Sequence, residues 1–330
     1  MAGRRLAIVE WTLIAVGLVL PAALTRTAYA NYAEHVAVQM MLLGLYSMSW
    51  DFLNGYVGLF SFGHAAFFGT GAYASAIVIV HGGVTSVPAI FAVALASTAL
   101  IGAIVGFLSS RVGRVAVFLV TFACAEVIYL VVHADPRGLT NGDNGVPGVV
   151  ARPFLGLDLT GRLSFYYTAL AVIVLSYIVL GRIARSQFGE VLLAIRDNET
   201  RVRFSGYRVE DYKTLAFVLS ALFAGLAGAL TAFHERIASP EACAWPMSGD
   251  AVLYAILGGS GTLVGPIVGT IAVVLAREVM SDLLRSWLIV IGFIYIALVF
   301  FLPSGIVPVL LGSSVGRPFQ GRVRGKENTA

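Results

Sequence analysis

Apolar residues in this chain come in long unbroken runs, at 6–24, 36–53, 55–80, 87–109, 115–133, 164–182, 214–236, 248–280 and 284–302. Short stretches holding Arg, Asp, Pro or Gly separate them. A run of about 20 apolar residues matches the hydrocarbon thickness of a bilayer, so each run predicts a crossing helix. One long island breaks the pattern. Of the 32 residues from Arg182 to Lys213, 12 are charged, and this segment belongs in water. Within it Phe188, Val191, Leu192, Ile195 and Val202 recur at helical spacing, while Glu190, Asp197 and Arg201 point away. Ser186 is a suitable N-cap and Gly206 a suitable stop, which predicts an amphipathic helix from Gln187 to Phe204. Asp197 with Arg201, and Glu199 with Arg203, form acid-first i,i+4 pairs worth about 0.2–0.5 kcal/mol each. A helix lying on headgroups concentrates Lys and Arg, whereas seven bases here face five acids. Mixed charge around an apolar stripe fits a protein groove better.

Nine single crossings put the N-terminus and the basic tail (Arg317, Arg322, Arg324, Lys326) on opposite sides, against the positive-inside tendency. A run at 248–280 that breaks at Gly258-Gly259-Ser260-Gly261 and returns to its own side restores agreement. The cytoplasmic side then holds 15 of the 22 Lys and Arg residues. The expected fold is an all-α polytopic membrane protein with about eight transmembrane helices plus a broken or re-entrant pair (8–10 spans), both termini cytoplasmic. Its transmembrane domain covers 1–316, with a cytoplasmic loop at 183–213, an outer loop at 134–163 and a basic cytoplasmic tail at 317–330. Arg4-Arg5, the first run and Ala28-Tyr29-Ala30 imitate a secretory signal, but a 19-residue run is closer to a retained span. The outer loop carries turn chemistry in Asp135-Pro136, Asn141-Gly142 and Asn144-Gly145, is short for an independent fold, and is expected to cap the outer mouth.

Composition agrees: 58% hydrophobic and 12% charged residues, with a mean hydropathy of +0.86, exceed what a soluble domain hides. Cys124, in an apolar run, and Cys243, in a predicted loop, differ in membrane depth and suggest no bridge. A net charge of +4 gives a nucleic-acid reading nothing to rest on. No phosphate loop G-x-x-x-x-G-K-[ST] is present, and Gly259-Ser260-Gly261 lacks the βαβ context of a dinucleotide site. His234-Glu235 lacks the second His of a zinc helix, and no metal spacing appears. No cofactor is expected, and an enzyme has no Ser, His and Asp or Cys cluster to work with.

Asp51, His64 and Glu126 are ionisable side chains within apolar runs. Asp51, near the end of its run, reads as interfacial. Glu126 stands mid-run, where an acid costs about 2.5–3.5 kcal/mol; a polar route or a hydrogen bond to a neighbouring helix removes that cost. His64, between Gly63 and Ala65, reads as a neutral packing histidine, with a substrate contact as the sharper alternative. The segment from Gly55 to Ala76 is rich in small residues, which serve either close helix packing or a broken helix beside a translocation route. Ser61, Gly63, His64, Glu126, Gly258, Gly259 and Gly261 are the candidates for lining that route.

The run from Gly55-Tyr56-Val57-Gly58 through Ser61-Phe62-Gly63-His64-Ala65-Ala66 to Gly69-Thr70-Gly71-Ala72-Tyr73 resembles the signature of branched-chain amino-acid ABC importer permeases of the LivM type. Phe188-Gly189 with Ala194 to Glu199, Tyr212-Lys213 through Gly225 to Gly228, and Gly258 to Thr262 with Gly265-Pro266 agree in order. The resemblance extends from about residue 40 to 305. It implies that Phe188, Gly189, Ile195, Arg196, Asp197, Glu199 and Gly206 belong to a cytoplasmic loop that docks on an ATPase. It also implies a second permease subunit of the LivH type, two ATP-binding subunits that carry the ATP site, and an external substrate-binding protein. Substrates implied are branched-chain or related amino acids, with urea, short amides or small aromatic acids as alternatives, and a secondary transporter without an ATPase is the competing reading. Gln187 and Glu190 depart from the Pro and basic residue often found there, and Thr140-Asn141-Gly142-Asp143-Asn144-Gly145 only approximates the family's outer-loop run.

Overall fold

Long apolar runs leave the backbone no water to bond with, so they fold as helices whose hydrogen bonds are internal. The computed structural model describes residues 2–24, 30–150, 160–283, 289, 292 and 304–310. Its helices are α1 (Ala2–Leu24), α2 (Ala30–Asp51), α3 (His64–Val80), α4 (Val87–Ser110), α5 (Arg114–Ala134), α6 (Arg162–Ala184), α7 (Gln187–Phe204), α8 (Val209–Glu235), α9 (Trp245–Gly258), α10 (Val264–Leu283) and α11 (Ile306–Leu310). The tail and all but two residues of the run at 284–302 lie outside the described residues. Six segments are long and apolar enough to cross a bilayer: 31–57, 87–110, 114–134, 162–184, 209–235 and 264–281. The chain is a polytopic all-α membrane protein.

Successive crossings sort the chain into two ends. One holds the charged island with the end of α2, the α4–α5 turn and the α9–α10 turn; it is called the island end. The far end holds the starts of α2 and α6 and the end of α8. There Asp135 stops α5 in the left-handed region at φ 45°. Its carboxylate accepts the main-chain N–H groups of Leu139, Thr140 and Asn141 and the Thr140 hydroxyl, at 2.7–3.1 Å. These donors, the Thr140 N–H foremost, hold its pKa below the ordinary carboxylate value. The loop then pairs β1 (Val146–Pro147) antiparallel with β2 (Ile237–Ala238), which ties it to the segment after α8.

Two of the crossings are interrupted. The α2 helix widens into a π-helical turn, Phe52–Val57, and the chain turns at Gly58 (φ 74°). It then runs back without helical structure to His64, where α3 begins. Phe62 N–H donates to Thr121 Oγ1 at 3.1 Å. Thr121 is seven residues into α5, so α3 starts roughly 10 Å inside the island end. The second interruption follows α8, where the chain passes through β2 and a short 3-10 turn, Pro240–Cys243, before α9 begins. The hairpin of α9 and α10, expected from Gly258 to Gly261, is present. Its arms are antiparallel, with Asp250 paired to Arg277 at 2.5 Å and Tyr254 O beside Gly269.

Small residues set the packing of α3, α4 and α8. A Cβ on Gly71 falls 2.0 Å from Gly225 O, one on Gly228 falls 1.9 Å from Phe68 O, and one on Gly225 falls 2.2 Å from Thr98 Cγ2. Backbones this close gain dispersion contacts, the main attraction between helices in lipid. Cys124 and Cys243 are both free thiols. Gly228→Ala is expected to push α8 off α3 and cost about 1–3 kcal/mol, lowering the unfolding temperature of the detergent-purified chain. Gly181→Ala, with no atom within 4 Å of the added Cβ, is expected to leave it unchanged or slightly raised.

Candidate functional site

The island end is held by a carboxylate inside the protein. Asp51 is 0% exposed, enclosed by this chain's own residues. Gly261 N–H lies 2.9 Å from each carboxylate oxygen, and the Ser260 hydroxyl donates to Oδ1. Asn54 Nδ2 donates to Ser260 Oγ at 3.1 Å. A Cβ on Gly55 meets Gly261 Cα at 2.8 Å, so this approach requires glycine. The turn of the α9–α10 hairpin thus rests on the end of α2. Gly259 (φ 112°) and Gly261 (φ 84°) take backbone shapes that side chains rarely adopt. Gly258 packs against Gly265 O, where a Cβ has only 1.7 Å.

The same turn is gripped by the island. Arg196 donates to Gly55 O, and its aliphatic stem fills the space beside Gly58, where a Cβ falls 2.9 Å from Arg196 Cγ. Arg114, at the start of α5, donates to Ile195 O at 2.9 Å and Arg196 O at 2.5 Å. Behind it, Lys213 pairs with Glu199 at 2.7 Å, and Arg203 pairs with Glu199 at 3.2 Å and Glu210 at 2.6 Å. The island is not wholly in water, because Lys213 is 1% exposed.

Two expectations for α7 need correction. Its N-cap is Ser186, as expected, accepting from Gly189 N at 3.5 Å, but the helix is not continuous. Asn198 has non-helical angles (φ −156°, ψ 95°), and its Oδ1 accepts Arg201 N–H at 2.9 Å, so it caps a second short helix. An Asn that bonds the backbone ahead of it competes with the helix it interrupts. The apolar stripe also faces inward. Leu192, Ile195 and Val202 are 0%, 1% and 8% exposed, covered by this chain and not left open for a partner. Phe188 stacks on Tyr212 with centroids 5.6 Å apart, and Gly189 packs against Ala184 O. Asp197 is exposed, and Gly206 (φ 90°) turns the chain into α8. What does face outward is Phe204, 87% exposed, beside the half-exposed Tyr207.

Deeper in, the first half-helix meets the second. Ala65 N–H, in the first turn of α3, donates to Ser248 Oγ at 2.9 Å near the start of α9. A Cβ on Gly63 falls 1.9 Å from Thr121 O, and Trp50 Nε1 donates to Ser61 O at 2.6 Å. His64 Nε2 lies 2.9 Å from Ser49 Oγ and 3.4 Å from Ser220 Oγ. Both hydroxyl protons are committed to main-chain carbonyls, Ser49 to Tyr46 O and Ser220 to Ser49 O, each at 2.6 Å. The Nε2 of His64 therefore carries the proton, which leaves a lone pair on Nδ1. That Nδ1 and Ser61 Oγ are buried and have no hydrogen-bond partner among the described residues.

The structure therefore brings Ser61, Gly63 and His64 together at the start of α3, and Gly258, Gly259 and Gly261 together under Asp51. Glu126 joins neither group. It is half-buried on α5 with no hydrogen bond or ion pair among the described residues. Sequence reasoning passed over Glu10, which accepts from Tyr177 OH at 2.6 Å inside an apolar run, and over Arg114, Ser260 and Phe204. For Asp51 a signal existed: an acid four residues before Gly55, the first glycine of the small-residue segment. A cleft of about 530 Å³ between α1, α2, α6 and α10 is walled mostly by residues such as Met40, Leu170, Ile173 and Ile267. Carbon walls of this kind suit lipid or a helix and offer a charged solute nothing.

Long apolar helices, two of them meeting at a buried polar junction, and a charged helical loop anchored at one end define a multi-pass membrane protein. The family described as branched-chain amino acid transport system, permease component, matches residues 32–301, and the chain belongs to it. It is 26% identical over 300 residues to the high-affinity branched-chain amino acid transport system permease protein LivM of Escherichia coli, covering 83% of this chain and 69% of that protein. The LivM protein of Salmonella typhimurium matches at 26% over 297 residues with the same coverage. No solved structure gives a significant match.

Removing the Asp51 carboxylate leaves Gly261 N–H and Ser260 without their acceptor. Asp51→Ala is expected to cost about 1–3 kcal/mol, read as a lower unfolding temperature of the purified chain. Asp51→Asn keeps one acceptor oxygen and is expected to lose less.

Proposed function

We propose that this chain is the permease subunit of an ATP-driven importer of branched-chain amino acids in the cell inner membrane. The observation that carries the reading is the link from Arg196 on α7 to Gly55 O, and from Asp51 on the same turn to Gly261. A loop moved from outside the membrane would shift both interrupted segments at once. The ATPase activity belongs to two partner subunits, a second permease subunit of the LivH type completes the pore, and an external binding protein delivers the amino acid. The kinship with LivM supports these partners and the substrate class.

The island end is cytoplasmic in this reading, as are both termini, with eight full spans and the α9–α10 hairpin returning to its own side. The pathway runs past the starts of α3 and α9, where helix N-termini carry partial positive charge suited to a substrate carboxylate. Ser61 Oγ and His64 Nδ1 are available there to bond a passing solute. Glu126 faces the second permease subunit across the exposed side of α5, which carries Leu119, Val127 and Leu130.

The surface offered to the ATPase differs from that expected of an open apolar stripe. With Ile195 buried in this chain, Ile195→Asp is expected to unfold the island and lower stability of the chain itself. The docking groups are Phe204, Asp197 and the turn at Gly206, beside a polar cleft of about 560 Å³ lined by Arg111, Glu199, Arg203 and Asp211. Phe204→Ala is expected to weaken co-purification with the ATPase by about 1–3 kcal/mol, or roughly 5–150-fold, without changing the unfolding temperature of the chain. Arg196→Ala is expected to leave assembly intact and to lower leucine taken up per ATP hydrolysed. The decisive measurement is uptake of labelled leucine by the reconstituted complex, with valine and isoleucine competing. Uptake by this chain without an ATPase, or no uptake with one, would overturn the reading.

A further inference from the structure

At the far end, the helix pair His234-Glu235 gains the second histidine that its own helix lacks. His35, in the second turn of α2, stacks on His234 with centroids 4.3 Å apart and planes 21° from parallel. Its Nε2 lies 3.8 Å from Glu235 Oε1. One donor atom from each of the three residues falls within 4.8 Å of the others. His234 is held from its other side by Phe165, whose ring stacks at 5.5 Å and 20°. Its Nε2 is buried and has no hydrogen-bond partner among the described residues. The side chains of His35 and Glu235 are 44% and 39% exposed, so the group opens to water on the side away from Phe165. The nearest cation on α6, Arg162, is spent on Glu34 at 2.6 Å.

We propose that His35, His234 and Glu235 form a binding site for a transition-metal dication, Zn²⁺ in the first place. Two imidazoles and one carboxylate are a donor set for zinc, with water in the fourth position. Mg²⁺ and Ca²⁺, which take oxygen ligands, are excluded by the same chemistry. Bonds of about 2.0–2.2 Å bring tetrahedral donors closer together than 4.8 Å, so the group must contract. His234 stays fixed while His35 tilts off the stack and Glu235 swings in, both having the exposure to do so. The metal would staple the start of α2 to the end of α8. These two helices carry, at their other ends, the Asp51 turn and the island, so a staple here restrains the movement that coupling requires.

The test uses the full chain, purified in detergent and stripped with a chelator, titrated with Zn²⁺ against a chromophoric competitor. One Zn²⁺ per chain is expected, undisturbed by excess Mg²⁺, together with a rise in unfolding temperature. His35→Ala and Glu235→Gln are each expected to weaken binding by at least roughly 10–100-fold, the loss that even an outer partner of a metal ligand causes. Both variants change half-exposed side chains, so the chain should still fold. Zinc binding equal in wild type and both variants, or no binding by wild type, would overturn the site. In the reconstituted complex, Zn²⁺ is expected to slow leucine uptake by wild type and not by His35→Ala. That last arm rests on the transport reading, whereas the titration does not, so the two fail separately.

Discussion

Asp51 ends α2 fully buried, and its carboxylate is met by Gly261 N–H and the Ser260 hydroxyl, with Arg196 gripping the same turn at Gly55 O. A buried carboxylate without such partners is strongly destabilising, so the α9–α10 turn and α7, which supply them, cannot drift from the end of α2 cheaply. That constraint explains the glycines around it. Gly55 and Gly261 approach within the width of a missing Cβ, and Gly58 leaves room for the Arg196 stem. The π-helical turn at Phe52–Val57 is the local deformation that lets α2 reach this point and then reverse. Interruptions of this kind recur at functional sites because they break the backbone ladder where protein, not lipid, can repair it.

Above this node the packing is backbone against backbone. The contacts of Gly71 with Gly225 and of Gly228 with Phe68 make α3 and α8 a nearly rigid pair, and α4 closes on α8 through Gly102 and Ala221. This pair joins the island at the start of α8 to the buried junction of His64, Ser49, Ser220 and Ser248. The small-residue segment serves two structural ends at different residues. Gly69, Gly71 and their neighbours pack helices, while Gly58 to Gly63 form the interruption.

Much of this was legible in the chain. The runs at 36–53, 87–109, 115–133, 164–182 and 214–236, the break at Gly258 to Gly261, the Ser186 cap and the Glu199–Arg203 pair appear where periodicity, glycine and charge spacing place them. These features are local, and their physics involves only a few neighbouring residues. The errors share an opposite cause. The donors around Asp51 went unread because hydropathy counts position in a run and not what packs against its end. The α7 stripe read as partner-facing because periodicity shows that a face is apolar without showing what covers it. Asn198 read as one more polar helical residue because its choice between helix and cap depends on where Arg196 and Lys213 hold the flanking segments.

By itself the sequence determined that the long apolar runs form helices, that one pair breaks at Gly258 to Gly261 and which segment stays charged, since lipid enforces these rules residue by residue. Only the tertiary structure decided which face of α7 is buried, which donors surround Asp51 and which histidine stands beside His234. His35 and His234 are 199 positions apart in the chain yet 4.3 Å apart in space. Such pairings come from the crossing of whole helices, and no spacing within one helix encodes them.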